Sequence, residues 1–263
     1  MRKNELASPE KHGVNPWRVP YPKGRIETAD IPVAALPEAS QMRRGKRKAV
    51  FNVIAFFMRV LFRMRAEHTE NIPEEGPVIM ISEHGSMLDI PLIHLTSPTW
   101  IYWLAKIELF RNRFGFHFFP WWGAIPVDRD KMHVRTAREV LDTLKKKRIM
   151  GVFPQGRRCA TEEEIRTTEP KLGAVAFALR SNAKILPVAI EGNYRLFSKH
   201  KVIYGKLHEI KLPRGKKKLT DAEERGLALE MMQAVFSLRG AEYPFQYPEG
   251  TEVSQTSFLH PVL

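Results

Sequence analysis

Two side chains raise the first chemical question. The segment Ser82–Pro91, "SEHGSMLDIP", directly follows the apolar run "PVIMI", and in it His84 stands five residues ahead of Asp89. If a helix opens near Ser86, Asp89 falls in its first turn, where free backbone N–H groups and the helix dipole keep a carboxylate ionised. An imidazole just ahead of that helix can swing back so that its Nδ1–H meets the carboxylate. The contact fixes the tautomer, leaves Nε2 as an acceptor and stabilises the imidazolium once a proton is taken. No serine, cysteine or threonine is obviously placed as a nucleophile, although Ser86 is close. A His–Asp pair without its own nucleophile suits removal of a proton from a substrate hydroxyl. Taken alone, the spacing reads more readily as a strand-to-helix turn with a capping Ser86 and a surface histidine. Metal binding is disfavoured, since it takes three or four ligands and the other eight histidines form no H-x-x-x-H pair or carboxylate cluster.

Two further loops, each attached to an expected strand, decide between these readings. "GAIPVDR" places Arg129 just past a strand ending at Val127, and "VFPQGRRC" runs from a strand into Gly156, Arg157 and Arg158. Gly156 permits a tight turn or close approach to a ligand. Arg129 and Arg158 offer planar forks suited to phosphate, and Lys106 in "LAKIELF" is a third cation at the same rim. Any one of these is ordinarily a surface charge. Jointly, beside a candidate base, they point to an anionic substrate. Cys159 adjoins this loop and reads as a small packed residue.

Positioning such loops takes a sheet. Short apolar runs at 77–82, 100–105, 123–127, 149–153, 185–190, 201–204 and 207–212 read as strands. Between and after them lie helical patterns at 130–147, 171–181 and about 220–238, the last opening on the capping-box sequence Thr220-Asp221-Ala222-Glu223. Interleaved strands and helices predict an α/β fold, a mixed central sheet flanked by helices with its chemistry at strand ends. The expected domain spans 67–240, preceded by a proline-rich basic extension (1–42) and a helix (43–66), and followed by a tail (241–263).

The net charge of +13 is uneven: residues 1–66 hold 14 Lys/Arg against five Asp/Glu. Nucleic acid and anionic lipid fit such charge equally well. The segment 43–65, "RRGKRKAVFNVIAFFMRVLFRMR", argues for lipid. Its apolar stretch at 49–58 is interrupted by Asn52 and is far short of the roughly 20 residues that span a bilayer. At helical spacing Lys48, Asn52, Arg59 and Arg63 form a narrow stripe on which Phe56 intrudes. Phe57, Met58, Leu61 and Phe62 belong to the wide apolar remainder. This predicts an N-terminal amphipathic membrane-interface helix rather than a helix that only packs on the core. A single cysteine and the absence of an apolar leader predict a reducing compartment.

In order and spacing, "GPVIMISEHGSMLDIP", "LAKIELF", "GAIPVDR", "VFPQGRR", "KLGAVAFAL" and "ILPVAI" resemble the 1-acyl-sn-glycerol-3-phosphate acyltransferase (PlsC-like) family from about Glu70 to Ile190. The resemblance implies transfer of a fatty acyl group from acyl-CoA or acyl-carrier protein to the hydroxyl of 1-acyl-sn-glycerol 3-phosphate, giving phosphatidic acid. The alternatives are the same chemistry on another acceptor, or a non-catalytic lipid-binding relative. It implies His84 as general base oriented by Asp89. It further implies Gly123 and Arg129 in a phosphate-binding motif, Gly156 and Arg158 with Gln155 in another acceptor-binding motif, and Pro187 in a fourth. No cofactor beyond the acyl donor is expected. The expected partners are an anionic membrane surface, the donor carrier and a lysophospholipid, with no nucleic acid, at the cytoplasmic face of a membrane. Three positions depart from the pattern: Glu83 stands where the family usually has asparagine, Gln155 where it has glutamate and Arg157 where it has threonine. With Arg157 replacing a threonine, the third loop is expected to be about two charges more positive than usual.

Overall fold

The computed structural model describes residues 19–22, 24–27, 30–31, 45–128, 133–216 and 218–262, with the side chains of 45–47 left out. Helices are α1 (Gly45–Phe62), α2 (Asp89–Thr96), α3 (Arg113–Trp121), α4 (Val134–Lys145), α5 (Glu162–Thr167), α6 (Gly173–Ser181) and α7 (Asp221–Ser237). Strands are β1 (Met64–Glu67), β2 (Val78–Ser82), β3 (Ile101–Lys106), β4 (Ala124–Val127), β5 (Ile149–Val152), β6 (Lys184–Glu191), β7 (His200–Tyr204), β8 (His208–Ile210) and β9 (Leu259–Pro261). The expected 1–42 extension falls mostly outside the described residues, as does Arg129.

The strands form one mixed sheet in the order β1-β7-β6-β2-β5-β3-β4, with β8 pairing β6 and β9. β2 lies centrally, parallel to both β5 and β6, and β3 runs parallel to β5 and β4. The loops leaving β2, β3, β4 and β5 therefore emerge at one edge, where the chemistry of parallel sheets collects. β2 is buried along its whole length because both its faces are covered. Ile79 and Ile81 join one apolar cluster with Met150, Val175 and Met231, while Val78 and Met80 join another with Leu92, Trp103 and Phe62.

Three differences from the sequence reading have local causes. The helix expected through residue 65 ends at Phe62, because Arg63 turns left-handed (φ 40°) and Met64–Glu67 pairs with β7 as a strand. The segment read as a tail, 241–263, folds back over its described residues 241–262: Tyr243, Phe245 and Phe258 are buried, and β9 extends the sheet. Gly226 of α7 allows this, since a Cβ there would stand 2.4 Å from the Ser254 carbonyl oxygen. The third difference concerns α1, whose apolar sides divide. Ala55 and Phe62 are buried, and Phe51, Met58 and Leu61 pack inward, whereas Val53, Phe56, Phe57 and Val60 are more than half exposed. Thus Met58, Leu61 and Phe62 belong to the core, and Phe56 lies on the outward apolar face. Among the described residues no helix is long and apolar enough to cross a membrane.

Candidate active site

The chain leaves β2 at Ser82 and makes a short turn before α2, and this turn fixes both candidate side chains. Asp89 is the first residue of α2 and wholly buried. Its Oδ2 accepts from the Gly85 and Ser86 N–H groups, each at 2.8 Å, and meets His84 Nδ1 at 2.8 Å. With Oδ2 accepting from two backbone N–H groups and facing Nδ1, the contact is that of an Nδ1–H donor, which leaves Nε2 as the acceptor. Among the described residues no group hydrogen-bonds Nε2.

The third loop grips the histidine from behind. Gln155, 1% exposed, accepts the His84 N–H through Oε1 at 3.0 Å, and the Cys159 N–H donates to the His84 carbonyl at 2.7 Å. Gln155 was expected to bind acceptor; the structure turns it to the backbone N–H of His84 instead. Gly156 makes the turn with φ 67°, and Cys159 is buried against Thr168. Arg157 reaches Glu164 at 3.6 Å, so one of the two expected extra positive charges is balanced, while Arg158 is exposed.

Aromatic rings set the imidazole plane. Phe153 stacks on His84 with centroids 4.1 Å apart, and Trp103 stacks on Phe153 at 5.2 Å. Gly151 makes room for this column: a Cβ there would fall 2.4 Å from the Trp103 ring. Lys106 sits at the end of β3 and pairs with Glu108 at 3.4 Å. By register it is level with Glu83 two strands away, roughly 10 Å across the sheet. Gly123 is not brought to this edge. Ala124 is in register with Trp103, Gly151 and Met80, so Gly123 enters β4 at the opposite end of the strands from His84. Its left-handed φ of 89° serves the turn out of α3.

Sequence reasoning missed five contributors: Phe153, Trp103, Gly151, Arg239 and Tyr194. Phe153, Trp103 and Gly151 looked like ordinary strand residues, and only the run "GVFP" beside the third loop could have hinted at them. Glu83, 7% exposed, turns away from His84 and pairs with Arg239 at 2.7 Å, the guanidinium resting 4.3 Å above the Phe236 ring. Burial pushes the Glu83 carboxyl up to about 7; the Asp89 charge adds to this and Arg239 opposes it. Tyr194 covers the turn from the far side, its hydroxyl 3.6 Å from where a Cβ on Gly85 would stand. Burial and the neighbouring Asp89 charge raise this hydroxyl well above the usual phenol range, so it stays protonated. Beside Phe153 opens a mostly apolar cavity of about 440 Å³, lined by Leu104, Val127, Val152, Leu172, Ala176 and Phe177 among others. No group of three or more His, Cys, Asp or Glu among the described residues is placed to hold a metal ion.

Comparison with known proteins matches residues 63–191 to the acyltransferase family. A 1-acyl-sn-glycerol-3-phosphate acyltransferase of Bacillus subtilis (strain 168) is 29% identical over 143 residues, 53% of this chain and 69% of that protein. The enzyme of that name from Streptococcus pneumoniae is 30% identical over 132 residues, spanning 48% of this chain and 46% of its own length. The crystal structure of the 1-acyl-sn-glycerophosphate (LPA) acyltransferase PlsC from Thermotoga maritima superposes with a TM-score of 0.55 at 23% identity. It covers 80% of this chain and 86% of that one, which establishes the shared α/β fold.

Proposed function

By residues 63–191 this chain belongs to the acyltransferase family, and we propose that it moves a fatty acyl group from a thioester to the free hydroxyl of 1-acyl-sn-glycerol 3-phosphate, giving phosphatidic acid. The observation that carries the reading is the buried His84–Asp89 pair, held at 2.8 Å with Nε2 unengaged by the described residues. Nε2 takes the proton of the acceptor hydroxyl as its oxygen attacks the thioester carbonyl carbon. Asp89 holds Nδ1–H and stabilises the imidazolium. The tetrahedral intermediate collapses with loss of the C–S bond, and the imidazolium returns its proton to the leaving thiolate. No cofactor enters these steps beyond the donor, acyl-CoA or acyl-carrier protein. The apolar cavity behind Phe153 suits a fatty acyl chain.

The acceptor assignment rests on the relatives' names and on the cations Arg158 and Lys106 at this edge, with Arg129, outside the described residues, following β4 in the sequence. Lys106 is already paired with Glu108, which favours keeping a second acceptor of the same chemistry in view. The complete His–Asp geometry speaks against a non-catalytic lipid binder. The outward face of α1, with Phe56, Phe57 and Val60 beside Arg59, supports peripheral docking on an anionic membrane.

A panel assay tests the reading. Thiol release from acyl-CoA and from acyl-carrier protein is followed with lysophosphatidate, glycerol 3-phosphate and phosphate-free lysolipids as acceptors. Lysophosphatidate should be used best, and Arg158→Ala should reduce efficiency ten- to a hundredfold, the worth of a charge-assisted contact of about 1.5–3 kcal/mol. A phosphate-free acceptor used equally well, with Arg158→Ala inert, contradicts the acceptor assignment.

A further inference from the structure

The turn after β6 exposes apolar side chains that the proposed reaction does not use. Leu196 and Phe197 are 59% and 63% exposed, flanked by the exposed cations Arg195 and Lys199. The turn is braced from within: Asn193 Oδ1 accepts from the Arg195 N–H at 3.1 Å and from Ser198 Oγ at 2.6 Å. Tyr194 and Phe197 both take left-handed backbone, φ 57° and 63°, an unfavourable conformation for large residues. The chain thus holds a strained, self-supported turn whose tip gains no burial from the protein.

Its two ends are attached to meaningful places. The Phe197 N–H donates to the Leu61 carbonyl at the end of α1, so the tip lies beside the end of that helix. Tyr194, at the turn's base, lies against Gly85 and beside Asp89.

We propose that residues 195–199 are a second lipid-docking element, inserting Leu196 and Phe197 into an anionic bilayer beside α1 with Arg195 and Lys199 at the headgroup phosphates. The proposal deepens the membrane reading above and rests on it. Charge selects lipid as the occupant. Both residues flanking the apolar tip are cationic, and α1, to whose end the tip is bonded, carries Arg59, while the carboxylates Glu191 and Glu67 are taken up by Lys201. An apolar tip in a basic collar partitions into an anionic interface. Docked in this way, the turn sets Tyr194, and with it the His84–Asp89 pair, next to the plane in which a lipid acceptor presents its hydroxyl.

A labelled full chain tests this. Phe197→Cys, or Leu196→Cys as a second position, places a thiol on the surface while Cys159 stays buried. An environment-sensitive dye at that thiol should shift to the blue on vesicles of phosphatidylglycerol and phosphatidylcholine, and acyl-brominated lipid should quench it. L196S/F197S should lower vesicle partitioning more than about tenfold while turnover of detergent-dispersed acceptor is kept. A dye that keeps its aqueous spectrum while the chain floats with vesicles overturns the proposal and leaves docking to α1 alone. A shift on raising protein concentration without lipid overturns it in favour of a second copy. A chain that does not float at all overturns the membrane reading and this proposal together.

Discussion

Glu83 and Arg239 form a 2.7 Å ion pair that joins the residue just before the proposed base to the end of the last helix, 156 positions later in the chain. The pair explains how Glu83 can occupy a position that is nearly closed to solvent. Burial nevertheless leaves its carboxyl at about 7 against an ordinary 4.5. A raised carboxyl binds its proton more tightly in the folded state, so its contribution to stability is complete below pH 4.5 and is lost as pH rises through 7. The loss amounts to about 3 kcal/mol. Urea unfolding at pH 5 and pH 8 should show it, and Glu83→Gln should flatten that part of the profile. An unchanged slope in the variant would place the titration elsewhere.

Gly151→Ala tests the ring column. Its Cβ would displace Trp103, and through Phe153 the plane of His84. Overpacking of this kind costs about 1–3 kcal/mol of stability. Turnover should fall while the KM for acceptor changes little, because the new methyl lies behind the base. Equal stability and turnover to the parent would show that the column does not hold the imidazole.

The divided face of α1 gives a paired prediction. Serine at Val53, Phe56, Phe57 and Val60 should release the chain from anionic vesicles at any salt concentration with little change in stability. Phe62→Ala should cost about 3–5 kcal/mol and leave the vesicle affinity of the remaining folded protein intact. Neutralising Lys48 and Arg59 should weaken binding at low salt only. Flotation and thermal unfolding on the same preparations separate these outcomes.

Gln155 and Glu83 make up a fourth test. Gln155 Oε1 holds the His84 N–H, so Gln155→Glu keeps the acceptor but buries a charge beside Glu83 and Asp89. Arg157 is engaged outside with Glu164 and does not balance it. The single variant should lose stability at pH 8, and Glu83→Asn in the same chain should restore much of it, a coupling measurable in a double-mutant cycle. Strict additivity would separate the two positions.

Local pattern carried β2 to β8 and the His–Asp turn, since these strands are short apolar runs and the pair is made within six residues, whereas β1 and β9 went unread. Thr220 and Glu223 likewise announced α7, whose capping box is present. The rest depends on distant partners. Nothing in "RRGKRKAVFNVIAFFMRVLF" says which apolar side meets the core, because Phe51 and Phe56 differ only in what packs against them. Helix α3 carries Pro120 and a run of aromatics, and α5 is a single capped turn and a half, so neither shows a period long enough to read. Arg239 is simply a charged residue until α7 delivers it to Glu83. Gly123 drew its expected role from a motif, and only strand register shows that it lies at the wrong end of β4.

The central claim is that His84, oriented by Asp89, removes the acceptor proton. Its most direct test is single-turnover acyl transfer by purified His84→Ala, with folding verified by near-ultraviolet circular dichroism and vesicle binding verified by flotation. Loss of a general base predicts a fall of roughly 10²- to 10⁴-fold in the chemical step, with donor and acceptor binding retained. A folded, membrane-bound His84→Ala that transfers acyl groups at near the parental rate would contradict the claim.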